Sequence, residues 1–428
     1  MRIKSLKTWL GGTSSRLVLS LLACVLATGC STVCLEPQEL CASGNANTSL
    51  HAPAAIEVAP LERPVEALPA APAQAVDPIR TAPIDLPGHE ARAIAGSPAG
   101  TVRVALILPL QSATLGAAAD AVRAGFMAAA ERDGAGMQID LVASGDSTED
   151  TLAAYARAGA AHDIIVGPLA RPAVGALAAS GKVDKPTVAL NHPEVRGSLP
   201  PQMLVAGLSI EDEARQAAEW AAREQPRGRV LILTGSPAWA QRAAAAFEAR
   251  WGELGHTGQR FALPSTDGRV DPALLQELKA RLEVDPPELL FAAVDLAELR
   301  QVRSFVGSTL PVYGGASINP GRTPGLGASE LDGIRVVDLP WLVLPDHPAV
   351  MVYPRPSDPE TPLYMQRLYA LGIDAFLVAR QLAAGPGAPL NIDGVSGRLT
   401  LGADARLQRR EAAAVYRDGG FTPVNTEP

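Results

Sequence analysis

Cysteine is nearly absent and stops early: the chain has four in 428 residues, none beyond position 41. Everything after that point folds without disulfides, and no Cys/His pairing has the spacing of a zinc site. Long Lys/Arg runs are lacking too. With a net charge of −8 and a pI near 5.4, the chain has no basic stripe to engage nucleic-acid phosphates. Catalytic motifs are missing: there is no Gly-x-Ser-x-Gly elbow and no phosphate or dinucleotide glycine loop in a strand-to-helix setting. The glycine-rich stretch 314–327 follows a late strand and opens no clear helix. The six histidines are scattered, and His162 and His192, near strand ends, read as polar loop residues. These absences leave no nucleophile–base pair for a hydrolase, and no metal or cofactor is expected.

What is present begins with a targeting segment. Lys4, Lys7 and Arg16 precede an apolar run, Leu17 to Ala27, that is too short to span a bilayer. It leads into Ala27-Thr28-Gly29-Cys30, which resembles a lipobox: cleavage would make Cys30 the lipidated N-terminus, with residues 1–29 the signal peptide. Leu22-Ala23-Cys24 is a competing box with a much shorter apolar run. Ser31 after Cys30, where retention signals carry Asp, resembles the pattern of outer-membrane sorting. Cys34 and Cys41 can close a small loop or stay unpaired. Residues 30–100 are rich in Pro and Ala, with scattered charge and little periodicity. Such a segment cannot bury a core, so it reads as a tether sampling extended conformations.

From Thr101 the pattern changes to strands alternating with helices, twice over. Ile164-Ile165-Val166 is a short β-branched run suited to a strand buried on both faces. Gly167-Pro168 stops it, residues 170–180 form a helix, and Thr187 to Leu190 is a second strand that delivers Asn191. Ser209 to Arg223 opens a second series, Ser209 capping a helix with Asp212 at N3. In the helix after Ser236-Pro237, Phe247 and Trp251 share a core face. Late elements are the segment 333–343, a long helix over 361–382 and a hairpin around 395–401. The expected fold is a two-lobed α/β clamshell, each lobe a mostly parallel sheet flanked by helices. Lobe 1 is expected at about 101–207 and 318–385, lobe 2 at about 208–317 and 386–424. Hinges are expected near 206–209, 317–320 and 338–344. Candidate cleft or hinge residues are Ser144, Asp146, Asn191, Ser209, Ser317 and Asp338, since open α/β sheets bind ligands at the C-terminal ends of their strands.

Several strings carry a family resemblance: Gly167-Pro168-Leu169, Ala189-Leu190-Asn191, LSIEDEARQAA (208–218), AAAAFEARW (243–251), LYALGIDAFLVARQL (368–382) and IDGVSGRLTL (392–401). Together they resemble the penicillin-binding-protein activator lipoproteins (LpoA/LppC family), in order, over most of 101–424. The resemblance implies a type I periplasmic-binding-protein-like domain. It also implies an outer-membrane lipoprotein facing the periplasm that binds a class A penicillin-binding protein and stimulates its transpeptidase, with peptidoglycan as a further contact and no catalysis of its own. Better-known members carry a helical-repeat domain before the clamshell, where this sequence has the Pro/Ala segment, and a longer insertion in the second lobe, where 261–290 is compact. A different class of function remains open: a solute receptor for an amino acid or small peptide, using Ser144, Ser147, Asn191 and Ser317 for a carboxylate and Asp146 or Asp338 for an amine.

Overall fold

The computed structural model describes residues 101–194, 197–322, 329–385, 389–402 and 406–425, all within one compact unit, Glu90–Pro428. The expectations for the signal peptide, for Cys30, Cys34 and Cys41 and for the tether lie outside the described residues.

The first lobe is built from β1 (Val102–Leu108), α1 (Gly116–Asp133), β2 (Met137–Ala143), α2 (Thr148–Ala161), β3 (Ile164–Val166), α3 (Arg171–Ala179), β4 (Thr187–Ala189) and β5 (Met203–Val205). Its five strands run parallel in the order β2-β1-β3-β4-β5. β3 and β4 are buried at every position because helices cover both faces. Gly167 ends β3 with φ 115°, and a Cβ there would stand 2.3 Å from the Ile107 carbonyl oxygen. The turn therefore requires glycine.

The chain then passes to the second lobe: α4 (Ile210–Glu224), β6 (Val230–Thr234), α5 (Ala238–Glu253) and β7 (Gly258–Ala262). A two-strand turn follows, β8 (Ser265–Thr266) and β9 (Arg269–Val270), and then α6 (Pro272–Val284), β10 (Leu289–Ala293), α7 (Leu296–Val306), β11 (Val312–Gly314) and β12 (Arg335–Asp338). Phe247 and Trp251 of α5 are buried and stacked, 5.6 Å between ring centroids, as their spacing predicts. Helix α5 starts at Ala238, with Pro237 at its N-cap.

Next come α8 (Pro340–Val343), α9 (Pro348–Met351) and α10 (Leu363–Ala383), then β13 (Asn391–Gly394), β14 (Gly397–Leu401) and β15 (Leu407–Arg410), which make a small antiparallel sheet. These elements pack on the first lobe: Tyr369, Phe376, Leu399 and Leu407 share one apolar cluster with Val104, Leu106 and Phe126. Helices α1 and α10 approach closely because glycines face across the contact. A Cβ on Gly125 would lie 1.9 Å from Tyr369 O, and one on Gly372 would lie 2.1 Å from Val122 O. Finally β16 (Ala412–Arg417) and β17 (Gly420–Val424) add an antiparallel edge to the second sheet, whose order is β17-β16-β12-β11-β10-β6-β7.

The two-lobed α/β architecture is as expected, but the lobe boundaries need correction. Residues 318–322 and 329–338 stay in the second lobe, because β12 pairs with β11 and β16. Residues 389–402 and 406–410 belong with the first lobe, where their apolar side chains are buried. The chain therefore crosses between lobes at 206–209, 338–340 and 410–412. Residues 317–320 are not a crossover.

Candidate functional site

The three crossovers lie side by side, and a network of buried charge joins them. Asp338, at the end of β12, is fully buried. Arg367 of α10 reaches it from the first lobe with both Nε, 3.1 Å from Oδ1, and Nη2, which donates to Oδ2. Asn319 Nδ2 and the Leu339 N–H also donate to Asp338, at 2.6 and 2.7 Å. A third Arg367 contact is to Ala316 O, at 3.1 Å. Arg409, buried at the end of β15, donates to Ala206 O and Gly207 O, each at 2.8 Å, and to Ser396 Oγ at 2.9 Å. Ser396 in turn is held by buried Asp374 of α10. Burial raises the Asp374 carboxyl above its ordinary range, against the lowering effect of the Ser396 hydrogen bonds.

Two more carboxyl groups are enclosed here. Glu213 lies on the inner face of α4, and its Oε2 accepts the Ala316 N–H at 2.7 Å. Burial first, and the nearby Asp338 charge second, push its carboxyl up to about 8, against the pull of Arg367. Gly315 leaves room for it, since a Cβ there would come 2.4 Å from Glu213 Oε2. This assigns a structural role to the first residues of the glycine-rich stretch. Glu411, between β15 and β16, is raised well above the ordinary carboxylate range by burial and then by Glu213. Its backbone N–H donates to Gln216 Oε1 at 2.9 Å, while its Oε2 is buried without a hydrogen-bond partner among the described residues.

Beside the crossovers, both lobes line a groove of about 1610 Å³. The first lobe contributes the start of α3, the chain after β4, and β14 and β15; the second contributes the outer face of α4 and Arg242 of α5. Among the described residues, seven arginines and four carboxylates line it. On the α4 wall the charges are matched: Glu211 pairs with Arg242 at 2.8 Å, Asp212 with Arg215, and Glu219 with Arg250 and Arg410 at 2.9 and 3.0 Å. On the first-lobe wall stand Arg171, Arg398 and Arg406 against Glu194. Among the described residues no cluster of three or more His, Cys, Asp or Glu is arranged to hold a metal ion.

The residues singled out from sequence are not brought together. Ser209 is the N-cap of α4, accepting from the Asp212 N–H at 3.1 Å, and it lines the groove. Asp212 gives nothing back to the cap and pairs with Arg215 instead. Asp338 is enclosed in the crossover network. Asn191 is occupied by backbone, donating to Leu169 O at 3.1 Å and accepting from the His192 N–H at 2.9 Å. Ser144 is buried after β2, Asp146 is exposed, and Ser317 is half-buried in the short 3-10 turn Ala316–Ile318. Glu213, Arg367, Arg409 and Glu411 escaped sequence reasoning. For Glu213 a usable signal existed: it shares a face with Ala217 and Trp220, both buried.

A family model described as "LppC putative lipoprotein" matches residues 75–419. Among curated proteins, the "Penicillin-binding protein activator LpoA" of Haemophilus ducreyi is 26% identical over 328 residues, covering 75% of this chain and 54% of that protein. The protein of the same name from Pasteurella multocida is 24% identical, covering 76% and 55%. The chain thus spans about half the length of these relatives. Among solved structures, the LpoA C-domain from Haemophilus influenzae, titled a regulator of PBP1A, superposes with a TM-score of 0.60 at 21% identity, covering 76% of this chain and all of that one. A Chromobacterium violaceum structure titled "putative branched-chain amino acid ABC transporter" gives 0.62 at 36% identity, covering 74% of this chain and all of that one.

Proposed function

The chain belongs to the LppC lipoprotein family, and from that premise we propose that it is a non-catalytic regulator of cell-wall synthesis. In this reading it is an outer-membrane lipoprotein, lipidated at Cys30 and facing the periplasm. It binds a bifunctional class A penicillin-binding protein and stimulates its transpeptidase. The observation that carries the reading is the extent of the family match, 75–419, which includes both lobes and all three crossovers. Relatives named as activators support it. Mechanistically, residues 31–100 act as the spacer that lets the folded unit reach the synthase. Tethering raises the effective concentration of the folded unit at its partner, so a weak contact suffices. Docking then favours the active conformation of the synthase by binding it better than the inactive one.

The test is reconstitution. A purified class A synthase is assayed for cross-linked product with the full chain and with a chain lacking 101–424. Stimulation by the full chain alone is the expected result. Equal cross-linking with and without the full chain refutes the reading.

The 36%-identical structure titled a "putative branched-chain amino acid ABC transporter" favours a second reading, a receptor for an amino acid or small peptide. A thermal-shift panel of amino acids separates the two, since a ligand at about 100 times its Kd stabilises the folded state by about 2.7 kcal/mol. A saturable shift with a branched-chain amino acid, together with absent synthase stimulation, would move the assignment to this second reading.

A further inference from the structure

The groove beside the crossovers differs from the rest of the molecule in charge. The chain carries a net −8, yet among the described residues of the lining arginines outnumber carboxylates by seven to four. Arg409 is committed to the Ala206, Gly207 and Ser396 oxygens. Among the described residues, Glu211, Asp212 and Glu219 are paired with arginines, while Arg171, Arg398 and Arg406 stand with Glu194 on the first-lobe wall. There Arg171 stands half-buried in the first turn of α3, with no hydrogen bond or ion pair among the described residues. The N-cap of that nine-residue helix, Ala170, offers no side-chain acceptor, so the positive end of the helix adds to the same field. Arg398 and Arg406 face the groove from β14 and the start of the β15 segment. A guanidinium fork with one partner retains donors for another.

Size points to the kind of occupant. Small-molecule pockets commonly enclose about 300–1000 Å³, and this groove exceeds that at about 1610 Å³. Its lining runs from the chain after β4 across to β15 and α5, a path suited to an extended chain. We propose that the groove is a docking site for an acidic segment of a partner protein, a short extended peptide whose carboxylates lie against Arg171, Arg398 and Arg406. Neither sheet's candidate strand-end residues Ser144, Asp146, Asn191 and Ser317 line it. It is thus a different place from the amino-acid cleft those residues were expected to form.

The assay uses the full chain and fluorescence anisotropy, with no synthase present, so its outcome is separate from that of activation. The probe is a labelled (Glu-Gly)₃ peptide, compared with (Gln-Gly)₃. The acidic peptide is expected to bind at least about tenfold tighter, and less tightly as salt rises, because opposite charges at a solvent-exposed groove are screened. Arg171→Glu should weaken it about tenfold or more, the loss of one charge-assisted contact, and the milder Arg171→Gln should weaken it in the same direction. Arg123→Glu, on the exposed face of α1, should leave it unchanged. Equal affinity for the neutral peptide overturns the proposal, as does equal weakening by Arg123→Glu and Arg171→Glu. Displacement by inorganic phosphate or soluble wall stem peptides at the probe's own concentration would make this a small-anion site, and that also overturns it.

Discussion

Replacing Glu213 by Gln should remove a pH dependence that the wild-type protein carries through its crossovers. The carboxyl is pushed from its ordinary 4.5 up to about 8 by burial and then by Asp338, with Asp212 adding to the same direction and Arg367 and the Ala316 N–H opposing it. The folded state therefore holds this proton where the unfolded chain has released it. Between those two values the folded state binds more protons, so stability falls as pH rises, by up to about 1.4 kcal/mol per pH unit. Summed over the interval, the loss is roughly 4–5 kcal/mol, complete once the pH has passed the folded value. Gln keeps the size and the acceptor for Ala316 but cannot ionise. The two proteins should match within about 1 kcal/mol near pH 5, and the variant should be the more stable by about 4 kcal/mol near pH 9. Glu411 adds to the gap in the same direction, because removing the Glu213 charge relieves one of the causes that raise it. Urea titrations from pH 5 to 9 measure this directly. With a slope of about 3 kcal/mol per molar, the midpoints should separate by more than about 1 M at the alkaline end. A gap that stays constant with pH refutes the reasoning, since it would mean that Glu213 is ionised throughout.

Arg367→Met should cost about 3–5 kcal/mol, because it leaves Asp338 buried without its countercharge; adding Asp338→Asn should recover part of that, read by the same denaturation. Arg409→Met strands two backbone carbonyls and should cost about 3 kcal/mol, seen as a fall in melting temperature. Gly125→Ala forces α1 away from α10 and should cost about 3 kcal/mol or more, whereas the same change at the open, positive-φ Gly136 should cost less. Asn191→Ala loses two local hydrogen bonds, about 1–2 kcal/mol together, and should leave cross-linking stimulation intact.

Local signals were enough for most elements. The β-branched run Ile164–Val166 and the Ser209-capped helix Ile210–Glu224 lie where periodicity and breakers put them. Lobe membership was not local. Residues 335–338 read as a strand in any sheet, and only pairing with β11 and with β16, some 75 residues further on, decides which. The antiparallel edge had a local sign, Asp418-Gly419 at the hairpin turn, with φ of 50° and 76°. Site residues fared worse for a physical reason. Glu213 sits in the first turn of a helix, where a carboxylate is explained by the helix dipole alone, and its buried neighbours come from 103 and 125 residues away. Arg409 could be placed inward by strand alternation with Leu407, but not matched to carbonyls more than 200 residues earlier.

The same network decides how the lobes can serve a partner. Each crossing is tied to an element outside itself: the first by Arg409, the second by Arg367, the third by Gln216 to the Glu411 backbone. A rotation large enough to part the lobes at this edge would separate Arg367 from Asp338, a carboxylate with no exposure. It would also part Gln216 of α4 from Arg409 O and from the Glu411 N–H. Hydrogen bonds to charged groups contribute about 1.5–3 kcal/mol each, so a state with these bonds broken is rarely visited. The groove is bounded by these tied segments, so its two walls keep their spacing whether or not anything is bound. A receptor that closes on a small solute draws on binding energy to move its lobes. A groove with fixed walls spends none on closure, and an extended acidic chain can bind there without prior rearrangement. Weakening the ties by Arg367→Met should therefore lower the affinity for the acidic peptide, even though Arg367 does not line the groove.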